Sequence, residues 1–366
     1  MSALLSDEPI LPTSRSLLYQ PPMLSTKSYT PLRRWRSIAA VCVVFFFVFL
    51  VLTRFDRVHQ IPFRRPDSVT SVNTVEEIVK DHKDFLIIPE PLIPHKIWQI
   101  FLPPLGHTGP FRIPPDKLGD SPSWLALNPA YDYTLVSQVQ AELFLRQHFG
   151  HDEHLMKMYE SLDNPGLKTD MLRYLLLSIE GGIYTDTDTV ALKPIDEWVP
   201  EHIRNRTRLI VGIEYDRLGA SVGWAHIPHY VQFCQWTIAA SSSHMIFERM
   251  VQRIQTSLEE IAAAHNASIG QGLSAFEVMN TTGPAAWTDV VFERIQEVEP
   301  SITDIADLSG MKEPTLFDDI LVLPIDGFGM GQPHSNSTND GTIPDNALLS
   351  HRFRGSWRDS NQGLDS

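Results

Sequence analysis

Cysteine is nearly absent: 366 residues contain two, Cys42 and Cys234. Cys42 lies in an apolar run near the N-terminus and Cys234 in the body that follows, so no disulfide can form within that body. Its core has to be held by packing, which a domain of this size can manage by burying roughly three quarters of its unfolded surface. Cys234 sits between Phe233 and Gln235 in an apolar segment. It reads as a buried thiol, since a reactive thiolate needs a polar, cationic setting. Several phosphate and metal signatures are also missing. There is no Gly-x-Gly-x-x-Gly, no Gly-x-x-x-x-Gly-Lys-Ser/Thr, no His-Glu-x-x-His and no paired Cys-x-x-Cys. The dinucleotide, P-loop and zinc chemistries that depend on them are thereby excluded. Positive charge is scarce, with 30 Lys and Arg against 44 Asp and Glu, a net charge of −14. Such a surface does not suit nucleic acid, whose phosphates demand a basic face.

Long apolar runs are missing too, with one exception. From Ser37 to Thr53 the chain has 17 uncharged residues between Arg36 and Arg54, at the lower limit of about 17 for a helix spanning a bilayer. No small-x-small cleavage site follows, so the run reads as an uncleaved signal anchor. Basic residues precede it (Arg15, Lys27, Arg33, Arg34, Arg36), and four Asn-x-Ser/Thr acceptors, Asn205, Asn266, Asn280 and Asn336, all follow it. Both observations point to a single-pass type II membrane protein with a lumenal body. The expected organisation is a cytosolic tail over 1–36, the anchor over 37–53, a stem over 54–88, a catalytic domain over 89–359 and a short tail over 360–366.

Within the body, short apolar runs at 96–101, 133–136, 209–213 and 321–325 alternate with helical stretches such as 141–149 and 244–261. That alternation predicts an α/β fold with helices on both faces of a sheet. The segment 168–188 concentrates the chemistry. Leu172, Leu175, Leu176 and Ile179 recur at helical spacing, Gly181 and Gly182 end the helix, and Ile183 and Tyr184 begin a strand that runs into Thr185-Asp-Thr-Asp188. Carboxylates two apart on an extended backbone share a face, so Asp186 and Asp188 are expected to meet one hard divalent cation, Mn²⁺ or Mg²⁺, together with a diphosphate. An isolated Asp-x-Asp is more often a polar turn. Its context here decides otherwise.

The combination Asp170-x-x-Arg173-Tyr174, Gly181-Gly182 and Tyr184-x-Asp186-x-Asp188 resembles the Asp-x-Asp retaining glycosyltransferases of family 32. The resemblance continues at residues 93–99, 128–133, 212–216, 232–236, 282–287 and 351–357. Within the family it is most similar to the fungal initiation-specific α-1,6-mannosyltransferases and their Golgi paralogues. It implies a GT-A fold, one Rossmann-like nucleotide-sugar-binding domain. It also implies a GDP-mannose donor, an N-glycan or glycolipid acceptor, Mn²⁺, a Golgi membrane location and membership of a mannosyltransferase complex. Some relatives use inositol phosphorylceramide as acceptor or UDP-galactose as donor. The lipid-using ones tend to carry a second span, which this sequence lacks after residue 53, so a glycoprotein acceptor is favoured.

Residue by residue, the resemblance makes Asp188 a direct metal ligand, sets Asp186 between the ribose or sugar hydroxyls and the metal, and gives the donor sugar to Asp170 and Arg173, with Tyr174 beside them. His351 is either a third metal ligand or a surface histidine. Trp98 either stacks on the base or fills the core, Ser356 and Trp357 close over the diphosphate, and Glu214 and Asp216 face the acceptor. Two rival readings use the same residues. The string 183–190 also fits an aspartate-nucleophile phosphatase, but that chemistry places its motif after the first strand and needs a downstream lysine, whereas Lys312 is the only one after Lys193. The other rival is a non-catalytic subunit of a mannosyltransferase complex.

Overall fold

A computed structural model describes residues 91–221, 223 and 227–354. The tail, anchor and stem expected over 1–88, together with Cys42, Ser356, Trp357 and the tail over 360–366, lie outside the described residues. Among those described, no helix is long and apolar enough to cross a membrane.

The elements run β1 (Lys96–Ile100), α1 (Pro122–Leu127), β2 (Asp132–Val136), α2 (Gln138–Phe149), α3 (Glu153–Ser161), α4 (Pro165–Glu180), β3 (Gly182–Thr185), β4 (Thr189–Ala191) and β5 (Leu209–Asp216). They continue with β6 (Val231–Phe233), β7 (Thr237–Ala240), α5 (Met245–His265), α6 (Ala275–Thr281), α7 (Pro284–Val298), β8 (Thr315–Phe317), β9 (Ile320–Leu323), α8 (Ile325–Gly329) and β10 (Leu349–His351). The alternation expected from sequence is therefore present. The run at 321–325 ends sooner than expected. Pro324 follows β9 and Ile325 already opens α8, because proline cannot donate to the next rung of the ladder.

The main sheet has the order β2-β1-β3-β7-β5-β9-β8, with β6 paired to β5. It is mixed: β1 runs parallel to β2 and β3, β5 parallel to β9, and β7 lies antiparallel between β3 and β5. Alternate residues feed two separate cores. Tyr184, Val211, Ile238 and Val322 pack under α3 to α7, whereas Ile183, Ile210, Ala239 and Leu321 pack on the opposite face with Trp124, Trp198 and Phe328. Burial on both faces explains why these strands read as unbroken apolar runs.

Helix α4 carries the site. Asn164 caps it by accepting the Gly166 N–H at 2.7 Å, and Pro165 occupies its first turn, the pairing that favours initiation. Leu172, Leu175 and Leu176 enter the core as expected, but Ile179 is 36% exposed, because the last turn outruns the core. The helix is buried nearly all round from Gly166 to Leu177, Asp170 and Arg173 included. A solvated ion pair at those positions is thus ruled out. The turn into β3 requires glycine: Gly181 and Gly182 adopt φ of 61° and 94°, and a Cβ on Gly182 would stand 2.6 Å from the Lys96 carbonyl oxygen. Only a residue without Cβ combines positive φ with such a close approach.

Candidate active site

Strand β3 ends at Thr185, and the two carboxylates follow in a tight turn instead of on an extended strand. The Thr189 N–H and hydroxyl both reach the Asp186 carbonyl, at 3.2 and 2.6 Å. The expected alternation therefore does not operate here. The turn achieves the same convergence by folding the backbone back on itself. Asp186 is pinned further by Gln99, whose Nε2 donates to its carbonyl at 3.0 Å, and by its own N–H, which donates to the Trp236 carbonyl at 2.9 Å. The Tyr184 hydroxyl donates to Asp186 Oδ1 at 2.5 Å.

His351 arrives from β10, which pairs antiparallel with β4 just beyond the turn. Its Nε2 lies 3.1 Å from Asp188 Oδ1, while the Arg354 N–H donates to Asp188 Oδ2 at 2.9 Å. Burial alone would raise the Asp188 pKa, but His351 and the Arg354 N–H outweigh it and hold the carboxyl below its ordinary value. Asp186, Asp188 and His351 each offer one ligand atom, and these atoms lie within 4.8 Å of one another. His351 Nδ1 is buried without a hydrogen-bond partner. Two carboxylate oxygens and one imidazole nitrogen fit a divalent ion that completes its shell with water and phosphate oxygen. The surface-histidine reading is excluded, since the His351 side chain is only 9% exposed.

Beside this cluster lies the pair on α4. Arg173 meets Asp170 Oδ1 at 2.7 Å, with side chains 4% and 8% exposed. The guanidinium also donates to the Gln235 carbonyl at 2.8 Å and to its side-chain oxygen, stands 3.7 Å from Asp186 Oδ1 and covers the Tyr184 ring at 4.5 Å. Gln235 Nε2 and the Thr282 hydroxyl donate to the two Asp170 oxygens at 3.1 and 2.7 Å. Desolvation nevertheless pushes the Asp170 carboxyl up to about 6, against the pull of Arg173 and these two donors. Asp170, Arg173, Asp186, Asp188 and Gln235 all line one cavity of about 310 Å³, whose apolar lining includes Ile100, Phe101 and Phe111. That volume lies at the small end for ligand sites.

Other expected residues lie elsewhere. Tyr174 is fully buried behind the cavity, its ring stacked on Trp287 at 5.4 Å and its hydroxyl donating to the Thr282 carbonyl at 3.0 Å. It supports the segment that reaches Asp170. Trp98 is half-buried against the core and donates its Nε1 to the Gly181 carbonyl at 2.8 Å, outside the cavity lining. Glu214 and Asp216 are 6% and 2% exposed and line no part of the cavity. Asp216 staples a loop, accepting from the Ser309 hydroxyl and the Gly310 N–H at 2.6 Å each. Glu214 accepts from Gln232 Nε2 at 2.7 Å and from Trp236 Nε1 at 2.9 Å, and burial lifts its carboxyl to about 7. Cys234 is fully buried, with its thiol pushed well up by desolvation. Among the acceptor asparagines, Asn205 and Asn266 are exposed, whereas Asn280 and Asn336 spend their amides on the Phe276 and Asp216 carbonyls. Sequence reasoning gave no role to Gln99, Tyr184, Gln235 or Thr282. Their proximity to the motif residues in space was the missing signal.

Residues 116–204 match the family described as "Glycosyltransferase sugar-binding region containing DXD motif". An initiation-specific alpha-1,6-mannosyltransferase of Schizosaccharomyces pombe is 33% identical over 77% of this chain and 68% of its own length. The protein of that name from Candida albicans is 32% identical over 73% and 72%. The solved PaToxG glycosyltransferase is 17% identical, covers 58% of this chain and 73% of its own, and has a TM-score of 0.39. With relatives so similar over most of their length, and with Asp170, Arg173, Tyr184, Asp186 and Asp188 gathered on one cavity, the chain belongs to the Asp-x-Asp sugar-binding glycosyltransferases of family 32.

Proposed function

We propose that the chain is a metal-dependent, retaining α-1,6-mannosyltransferase of GT-A type, moving mannose from GDP-mannose to the outer chain of an N-glycan. The observation that carries this reading is the convergence on one cavity of Asp186 and Asp188, with His351 beside Asp188, and the buried Asp170–Arg173 pair. The names of the relatives supply the sugar and the linkage. Asp186, Asp188 and His351 would hold Mn²⁺, which supplies Lewis-acid neutralisation of the departing diphosphate. Asp170 and Arg173, immobilised by Gln235 and Thr282, form a rigid fork for the donor sugar's hydroxyls. The apolar wall excludes water from a sugar that develops oxocarbenium character. Asp170, Asp186 and Asp188 are the carboxylates lining the cavity among the described residues, and each is already engaged by its neighbours. The resemblance to the family's retaining members favours a front-face displacement in which the leaving phosphate takes the acceptor's proton. The sequence features of the N-terminus support a type II membrane position anchored by 37–53, and the family resemblance supports the Golgi as its location.

The test is transfer by the full chain with Mn²⁺, offering GDP-mannose and UDP-sugars in parallel to a high-mannose N-glycan and to inositol phosphorylceramide. The expected result is α-1,6 mannosyl transfer to the glycan, abolished in Asp188→Asn. Transfer from a UDP-sugar instead would overturn the donor, and a folded chain that binds Mn²⁺ and yet turns over no sugar nucleotide would sink the proposal in favour of a structural subunit.

A further inference from the structure

His351 has an unusual mounting for a metal-binding histidine. Such residues generally donate their second ring nitrogen to a carboxylate or carbonyl, which fixes the orientation of the ring. Here Nε2 faces Asp188, while Nδ1 is buried with no hydrogen-bond partner. The backbone offers little rigidity either, because β10 is three residues long and pairs with an equally short β4. Beyond the Asp188 contact, what holds the imidazole is ring contact. The Trp236 indole lies 4.5 Å from it at an interplanar angle of 33°, and Phe353 lies 4.0 Å away at 48°.

Trp236 is itself anchored at its far end. It is 5% exposed, and its Nε1 donates to Glu214 Oε2 at 2.9 Å, on the β5 strand of the central sheet. The other Glu214 oxygen accepts from Gln232 at 2.7 Å, which stops the carboxyl from turning. The Trp236 main chain meanwhile accepts the Asp186 N–H at 2.9 Å. One residue thus bears on the donor cluster from both sides, by its backbone on Asp186 and by its ring on His351. Neither Trp236 nor Glu214 lines the cavity.

We propose that Trp236, clamped by Glu214, is the positioning element that sets the His351 imidazole over Asp188 and thereby tunes metal affinity without touching the metal. The inference rests on the metal reading given above. Glu214 in this role serves the metal side of the site and not the acceptor.

Mn²⁺ affinity of the full chain, measured without nucleotide by paramagnetic resonance of the free ion, tests the inference. Trp236→Ala is expected to weaken binding about 10- to 100-fold, the range for loss of an outer partner of a ligand. In a Trp236→Ala, His351→Ala double variant the losses should not add: once the imidazole is gone, removing its support should change little. Trp236→Phe keeps a ring but loses the N–H, and decides the matter if the alanine variant does not fold. It should still weaken binding measurably, as should Glu214→Leu, whereas Glu214→Gln retains an acceptor for the indole and should recover affinity relative to Glu214→Leu. Wild-type affinity in folded Trp236→Phe and Glu214→Leu, or additive losses in the double variant, would overturn the assignment while leaving the metal reading standing. No Mn²⁺ binding by the wild-type chain would instead remove the metal reading, and this inference with it.

Discussion

Glu214 makes the stability of this protein depend on pH in a direction opposite to that of most carboxylates. Its carboxyl is buried on β5, and desolvation lifts its pKa from 4.5 to about 7 although Gln232 and Trp236 both donate to it. Between those values the folded state keeps a proton that the unfolded state has released, so stability is full below about pH 4.5 and declines as pH rises through 7. At about 1.4 kcal/mol per tenfold change in proton affinity, the loss amounts to roughly 3 kcal/mol. For a domain of this size that corresponds to a fall in Tm on the order of 6–10 °C. Glu214→Gln removes the titration while keeping a side chain that can accept from the Trp236 indole. Thermal unfolding by near-ultraviolet circular dichroism from pH 4.5 to 8, in chelator so that metal linkage plays no part, should show the wild-type Tm falling relative to the variant as pH rises. Parallel wild-type and variant profiles across that window would refute the reasoning, because they would mean that Glu214 is already ionised in the folded protein.

Removing one partner of the buried pair on α4 should be costly. Asp170→Ala leaves the Arg173 guanidinium buried without its 2.7 Å counter-charge, and a loss of about 3–5 kcal/mol is expected in the unfolding free energy measured by denaturant titration. Gly182→Ala should lower stability by at least about 1–3 kcal/mol through strain at φ 94° and collision with the Lys96 carbonyl. Comparing its Tm with that of Gly341→Ala, which has positive φ but open space around its Cβ, separates the collision from the dihedral cost.

The sequence by itself determined everything that depends on neighbours along the chain. Alternating strands and helices, the glycine break after Glu180, the Leu172/Leu175/Leu176 stripe and the family signature were all legible, because periodicity, capping and turn chemistry act over a few residues. Local pattern even located the Asp186/Asp188 pair, although the turn that joins them replaced the extended strand expected there. Tertiary structure decided the rest. Burial of Asp170 and Arg173 depends on Gln235, between β6 and β7, and Thr282, between α6 and α7, closing over the helix. Tyr174, Trp98, Glu214 and Asp216 carry the same side chains whether they touch ligand or support others, and only packing across the sheet puts them outside the cavity lining. His351 lies 163 residues from Asp188 along the chain. Their contact exists because β10 returns to pair with β4, and a long-range pairing of three rungs leaves no periodic trace in the residues that make it.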